Sequence, residues 1–199
     1  MSRRLLVATH NQGKLLEYRN LLADLPLALT YLEEIGVREE VAETENSFAA
    51  NAALKAQHYA NLTGLWTWAD DSGLEVDALQ GAPGVHSARY AGPAATDQDR
   101  YQELLRELQP HPRPWAARFQ CVVAIARPPA TAETCTGTLE GAVTNAPRGS
   151  NGFGYDPVFF VPDKGRTLAE LPTSVKNRIS HRGLASRQAK ELLTNLLNQ

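Results

Sequence analysis

The chain has 199 residues, 43% of them apolar and 21% charged, with a formal net charge of −2. That length suits one domain able to bury a sizeable core, and the near-neutral balance gives no electrostatic case for binding long nucleic acid. No run of about 18 apolar residues occurs, so no membrane-spanning helix is expected.

The basic start Met1-Ser2-Arg3-Arg4 runs into a short apolar stretch, too short for an export signal, and residues 5–9 are predicted as a buried first strand. Residues 14–25 follow as a helix with Leu15, Leu16, Leu22 and Leu25 on one face, stopped by Pro26. Residues 27–31 form a weaker strand. An alanine-rich helix is predicted over 47–62, capped by Asn46 or Ser47 and closed by Gly64. A strand over 65–69 delivers Asp70 and Asp71 to a turn at Ser72-Gly73, and residues 74–79 read as a further strand. Residues 81–93 form a Gly- and Pro-rich loop. Thr96 caps a helix over 97–108, closed by Pro110. Residues 116–126 and 134–143 read as an antiparallel pair, 158–161 as a short strand, and 183–197 as the last helix. This order predicts an α/β fold with a mixed β-sheet flanked by helices, the motif-bearing loops at the strand ends facing a cleft. With no long linker, two lobes are expected inside a single domain spanning residues 1–199. Cys121 and Cys135 fit no zinc spacing and read as reduced thiols on strands, in keeping with a cytoplasmic setting.

Two adjacent carboxylates after an apolar stretch are costly unless something pairs with them. Asp70 and Asp71 suit a divalent cation held by oxygen, of which magnesium characteristically shares its shell with water and substrate phosphates. The same pair also makes an ordinary acidic turn. Thr9-His10-Asn11-Gln12-Gly13-Lys14 joins a strand to a helix start, where free amide N–H groups and a lysine favour phosphate. It lacks the glycine and hydroxyl positions of a P-loop, since Ala8 and Leu15 stand there, and it equally makes a plain capped helix. Glu43 precedes the helix that carries Lys55, and it either reaches the aspartates as a metal ligand or is one of several surface acids. In Asn151-Gly152-Phe153-Gly154-Tyr155-Asp156-Pro157, Phe153 offers a face for a base, or tucks with Tyr155 into the core. Lys176 and Ser180-His181-Arg182-Gly183 supply cations and donors before the last helix, able to meet phosphate and a carbonyl oxygen or to stay solvated.

Together, in this order, these blocks resemble the inosine triphosphate pyrophosphatase family, also described as non-canonical purine nucleoside triphosphate pyrophosphatases. The likeness includes Gly81-Ala82-Pro83-Gly84-Val85-His86-Ser87-Ala88-Arg89-Tyr90 and covers almost the whole chain. The resemblance implies an elongated mixed β-sheet flanked by helices, in two lobes with an active-site cleft between them, Mg2+-dependent hydrolysis of ITP, dITP or XTP to the monophosphate and pyrophosphate, a house-cleaning role in the nucleotide pool, and a homodimer. It implies that Asp71 is the general base and, with Glu43, a metal ligand. Thr9, His10, Asn11, Gln12, Gly13 and Lys14 fall in its triphosphate loop, with Lys55, Ser72 and Lys176 as further substrate contacts. Phe153, Gly154, Tyr155 and Asp156 match its base and sugar segment, and His181 and Arg182 the residues that recognise the base. Two departures stand out: His10 replaces a common glycine, and Ala50 replaces a common glutamate. A pyrophosphatase for other modified or pyrimidine nucleotides, and a nucleotide-binding regulator without turnover, are the competing expectations.

Overall fold

The structure, a computed structural model, describes residues 4–129 and 131–198. The basic residues 1–3 and Ala130, in the connection of the predicted strand pair, lie outside the described residues. The elements are β1 (Arg4–Val7), α1 (Gln12–Leu21), β2 (Ala28–Tyr31), α2 (Phe48–Thr63), β3 (Trp66–Val76), α3 (Asp97–Leu108), β4 (Trp115–Ala126), β5 (Glu133–Val143), β6 (Phe159–Val161), β7 (Arg166–Thr167), α4 (Thr173–Ile179) and α5 (His181–Leu197). The strands form one mixed seven-stranded sheet in the order β2-β1-β3-β4-β5-β6-β7, with helices packed against it. β1 runs parallel to both β2 and β3, whereas β5, β6 and β7 pair antiparallel. The mixed α/β expectation therefore holds. Among the described residues no helix is long and apolar enough to cross a membrane.

The chain divides into two compact units. The first comprises Met1–Asp71, Cys121–Gly137 and Arg182–Gln199, the second Ser72–Gln120 and Thr138–His181. The first has a core in which Leu5 and Val7 of β1 and Trp68 of β3 meet Tyr18 of α1 and Ala185, Ala189 and Leu193 of α5. That spacing of four along α5 is the apolar stripe of an amphipathic helix. In the second unit, Leu74 and Val76 of β3 pack with Leu104 and Leu108 of α3, and with Phe119, Val158 and Phe159.

Several expectations need correction. The strand carrying the aspartates does not end at Asp71: β3 runs on through Ser72 and Gly73 to Val76, so the predicted separate strand over 74–79 is its continuation. Gly73 keeps an extended backbone, and the Leu74 amide beyond it donates to Ser87 Oγ at 2.9 Å. The aspartates thus sit mid-strand. α1 stops at Leu21, well before Pro26, and its buried face is Leu15 and Tyr18, with Leu22 just beyond; Leu16 is 60% exposed. His181 and Arg182 open the last helix rather than precede it. α2 keeps its predicted caps, Ser47 accepting from the Ala50 amide and Gly64 closing the helix in the left-handed region.

Candidate active site

In the first unit, the segment between β1 and α1 is a capped helix start. Asn11 Oδ1 accepts from the Lys14 amide at 3.0 Å, and Thr9 Oγ1 accepts from the Asn11 amide at 3.2 Å. Gly13 lies inside the first turn of α1. The His10 ring lies 3.2 Å from the Glu39 carbonyl, and Gln12 Nε2 donates to Glu33, so both side chains turn toward the 33–39 stretch. Lys14 turns the other way, its Nζ 3.0 Å from Asp70 Oδ2.

Asp70 is 2% exposed. Burial alone would raise its pKa, but the charges of Lys14, Arg182 and Lys55 outweigh that cost and hold it well below the usual carboxylate range. Its Oδ1 is buried with no hydrogen-bond partner in the protein. Its Oδ2 also meets Arg182 at 3.5 Å and lies 3.7 Å from the Cys121 thiol. Burial, helped by the Asp70 charge, pushes that thiol up to about 12, so it stays protonated. Arg182 is itself buried and donates to Glu17 Oε2 at 2.6 Å. Burial opposes its charge, but Glu17 and Asp70 more than restore it. Lys14 and Glu17 stand three residues apart on α1. The result is an alternating run of charges, Glu17–Arg182–Asp70–Lys14, which ties α1 to β3 and α5.

Asp71, the next residue, faces a different set. Asn51 Nδ2 donates to Asp71 Oδ2 at 3.0 Å, and Lys55 Nζ lies 3.9 Å from Oδ1. Lys55 also forms an ion pair with Glu43. Burial raises the Asp71 pKa, and Lys55 and Lys14 only partly offset it while Glu43 adds to it, so the net shift is upward. For Lys55, burial lowers the pKa, but Asp71 and Glu43 reverse that and hold it charged. Among the described residues no group of three or more His, Cys, Asp or Glu side chains could hold a metal ion alone. Glu43 and Asp71, both within reach of one lysine, are instead a pair of hard oxygen donors. That set fits Mg2+, which is commonly held by one or two carboxylates with water and phosphate completing its shell.

In the second unit, Lys176 of α4 and Asp156 are both buried and paired. Asp156 Oδ2 also accepts from the Phe153 amide at 2.9 Å. Gly152 has φ +78°, and a Cβ there would overlap the Asp156 carboxylate, so glycine is required. Lys176 Nζ stands 5.0 Å from the Phe153 ring centroid, a cation–π arrangement. Tyr155 is core, its hydroxyl donating to the Ser87 carbonyl at 2.9 Å, while Phe153 is only half-buried. Gly154 is in the left-handed region at φ +63°. The His181 ring stacks on Phe119 at 4.5 Å between centroids. Ser72 follows Asp71 directly on β3.

The residues singled out in sequence therefore form two groups. Lys14, Glu43, Lys55, Asp71 and Arg182 gather in the first unit, and Phe153, Asp156, Lys176 and His181 in the second. Glu17 and Asn51 were not singled out. Asn51 had a signal: it falls on the buried stripe of α2 among Phe48, Ala52 and Ala56, where a polar side chain needs a partner. Glu17 had only its place one turn after Lys14.

The family model described as the Ham1 family matches residues 5–192. A dITP/XTP pyrophosphatase of Geobacter sulfurreducens is 48% identical over 191 residues, 96% of either chain. One of Bacillus subtilis is 43% identical over 189 residues, 94% of this chain and 96% of the relative. The solved structure of a HAM1 protein from Coxiella burnetii superposes with a TM-score of 0.88 at 44% identity, covering 97% of this chain and 99% of that one.

Proposed function

Because the chain belongs to the Ham1 family, we propose that it is a nucleoside triphosphate pyrophosphohydrolase that cleaves ITP, dITP and XTP to the monophosphate and pyrophosphate. The observation that carries the reading is Asp71: a buried carboxylate with a raised pKa, oriented by Asn51 and flanked by Lys55 and Glu43. A base poised above the ordinary aspartate range can take a proton from water and still be ionised near neutrality. Water attacks the α-phosphorus as Asp71 removes its proton. The α–β anhydride bond breaks, and pyrophosphate leaves against the ammonium groups of Lys14 and Lys55, which take up the developing charge. Thr9, Asn11 and the first amides of α1 hold the triphosphate, where the helix N-terminus favours anions.

Asp71 and Glu43 would hold Mg2+. Once bound, the ion would neutralise phosphate charge and polarise the phosphoryl oxygens. Phe153 offers its ring to the purine. Lys176, fixed by Asp156, adds a cation, and Ser72 a polar contact.

Selectivity rests on His181 as the donor to the base, with Arg182, whose guanidinium Glu17 and Asp70 already hold, fixing the start of α5 next to it. A 6-oxo group accepts hydrogen bonds, whereas the 6-amino group of ATP presents hydrogens to the same donor. A buried donor left without an acceptor costs about 1–3 kcal/mol, up to roughly a hundredfold in affinity. Removal of deaminated purine nucleotides from the nucleotide pool is the role that the substrates in the relatives' names support; the cytoplasmic setting and the homodimer rest on the family resemblance alone.

The test is pyrophosphate release with Mg2+ from ITP, XTP, ATP and GTP at equal concentration. Preference for ITP and XTP, with one pyrophosphate per monophosphate, is expected. Equal turnover of all four would sink the base-reading role, and release of single phosphates would sink attack at the α-phosphorus.

A further inference from the structure

The segment from Gly152 to Asp156 is short, has two left-handed glycines, and presents the half-buried Phe153. Three restraints come from within it or from its lysine: the Phe153 amide to Asp156, the Asp156 amide to the Phe153 carbonyl at 3.3 Å, and the Lys176–Asp156 pair. A fourth pins Tyr155 through Ser87. The Gly154 amide is held differently: it donates to Asp97 Oδ2 at 2.7 Å, across 57 residues of sequence. Asp97 Oδ1 is in turn fixed by Arg100 Nη1 at 2.6 Å, and Arg100 Nη2 donates to the Ala95 carbonyl at 2.7 Å.

Asp97 is the first residue of α3, where an acid is favoured by the helix dipole alone. Here that explanation is incomplete. α3 already has a full capping box, in which Thr96 accepts from the Asp99 amide and Asp99 accepts from the Thr96 amide. The Asp97 carboxylate is 44% exposed, so it contributes little to the core. Its two oxygens are occupied by a guanidinium and by the amide next to Phe153.

We propose that Asp97 is a positioning residue: its carboxylate, braced by Arg100, holds the Gly154 amide and so sets the Phe153 ring for the purine. The proposal rests on the reading above that Phe153 meets the base. Asp97 touches no reacting atom, so its loss loosens the fit of the base and leaves the chemistry at Asp71 intact. One charge-assisted hydrogen bond is worth roughly tenfold in an equilibrium.

The experiment compares wild type, Asp97→Ala and Asp97→Asn by amide hydrogen exchange over residues 152–156 and by steady-state kinetics on ITP and ATP. Asparagine keeps an acceptor for Gly154 but loses the charge. In Asp97→Ala the Gly154 amide should exchange about tenfold faster. KM for ITP should rise roughly tenfold with kcat within about threefold, and the ITP-over-ATP preference should fall to match. Asp97→Asn keeps one acceptor but turns its amide donor-to-donor toward Arg100, so exchange and KM should fall between those of wild type and Asp97→Ala. Unchanged Gly154 exchange in Asp97→Ala overturns the clamp. Faster exchange with unchanged KM and selectivity overturns the positioning role, and equal defects in both variants reduce Asp97 to a helix-dipole charge. A wild type with no preference for ITP over ATP sinks the base reading and the functional half of the proposal with it. The exchange comparison then still decides whether Asp97 holds the segment.

Discussion

Lys14 Nζ lies 3.0 Å from Asp70 Oδ2, with that carboxylate wholly out of solvent and the lysine side chain 14% exposed. A buried carboxylate of this kind is held by its cations, and they by it. Removing its charge leaves Arg182, 2% exposed, with one carboxylate fewer. Asp70→Asn should therefore lower stability by about 3–5 kcal/mol, read as a shift in urea midpoint at unchanged slope. Asp70 also fixes part of the acid limb of stability. Its folded pKa lies below its unfolded one, so its contribution is present above about pH 4 and is lost as pH falls through the folded value. The substituted protein should show a shallower loss of stability below about pH 4. A limb as steep as that of wild type would mean that other acids govern acid unfolding.

Asp71 behaves in the opposite sense. Its folded pKa is raised, so the folded state disfavours its charge, and the penalty is present above the folded pKa and absent below the unfolded one. Asp71→Asn should lose about 10²–10⁴-fold in kcat while its stability at pH 7 is unchanged or higher. Thermal unfolding beside single-turnover kinetics checks both. A large loss of stability would make Asp71 structural.

Asn51 donates to the ionised form of Asp71 at 3.0 Å and so lowers its pKa. Asn51→Ala removes that donor, and the acid limb of kcat/KM should move to higher pH than in wild type. Asn51 also accepts from the Glu45 amide and donates to the Glu45 carbonyl, so some loss of stability accompanies the shift. The pH–rate profile separates the two effects, because a stability loss alone lowers the plateau without moving the limb.

Lys176 and Asp156 form the buried pair of the second unit. Lys176→Met leaves Asp156 without its cation and should cost about 3–5 kcal/mol. Adding Asp156→Asn removes the stranded charge and should recover part of that loss, since asparagine can still accept from the Phe153 amide. KM for ITP should stay high in both variants, because the lysine is gone. Recovery of KM with stability would show that Lys176 serves the fold and not the substrate.

Local chemistry was legible along the chain, and distant pairing was not. The Thr96 cap of α3 and the Ser47 and Gly64 caps of α2 stand in the sequence because each depends on residues within one turn. Ser72-Gly73 reads as a turn by the same logic, yet β3 continues, because Leu74 and Val76 gain more from burial in the second core than a turn would. α4 leaves little local pattern because it has only seven residues, behind Pro172, and its apolar contacts with the second core come from just Val175 and Ile179 beside the buried Lys176. In the site, the acids and lysines were visible as residue types. The partners of Asp71 and Arg182, 20 and 165 residues away at Asn51 and Glu17, leave no local pattern to read.

Glu43 and Asp71 both pair with Lys55, an arrangement that bears on the proposed Mg2+ requirement. A cation held by two carboxylates, with water and phosphate oxygens as its other ligands, should be weakly bound and exchangeable. Dialysis against a chelator should abolish pyrophosphate release, and Mg2+ should restore it. Glu43→Gln keeps the side chain's shape and a neutral acceptor for Lys55, but removes one charge from the donor set. The Mg2+ concentration for half-maximal activity should then rise by about tenfold, the effect of losing one charged ligand interaction, with kcat at saturating Mg2+ less affected. Glu43 also raises the Asp71 pKa, so at saturating Mg2+ its loss should move the acid limb of kcat/KM to lower pH. A shifted limb with an unchanged Mg2+ requirement would leave Glu43 as an electrostatic neighbour of the base and remove it from the metal site.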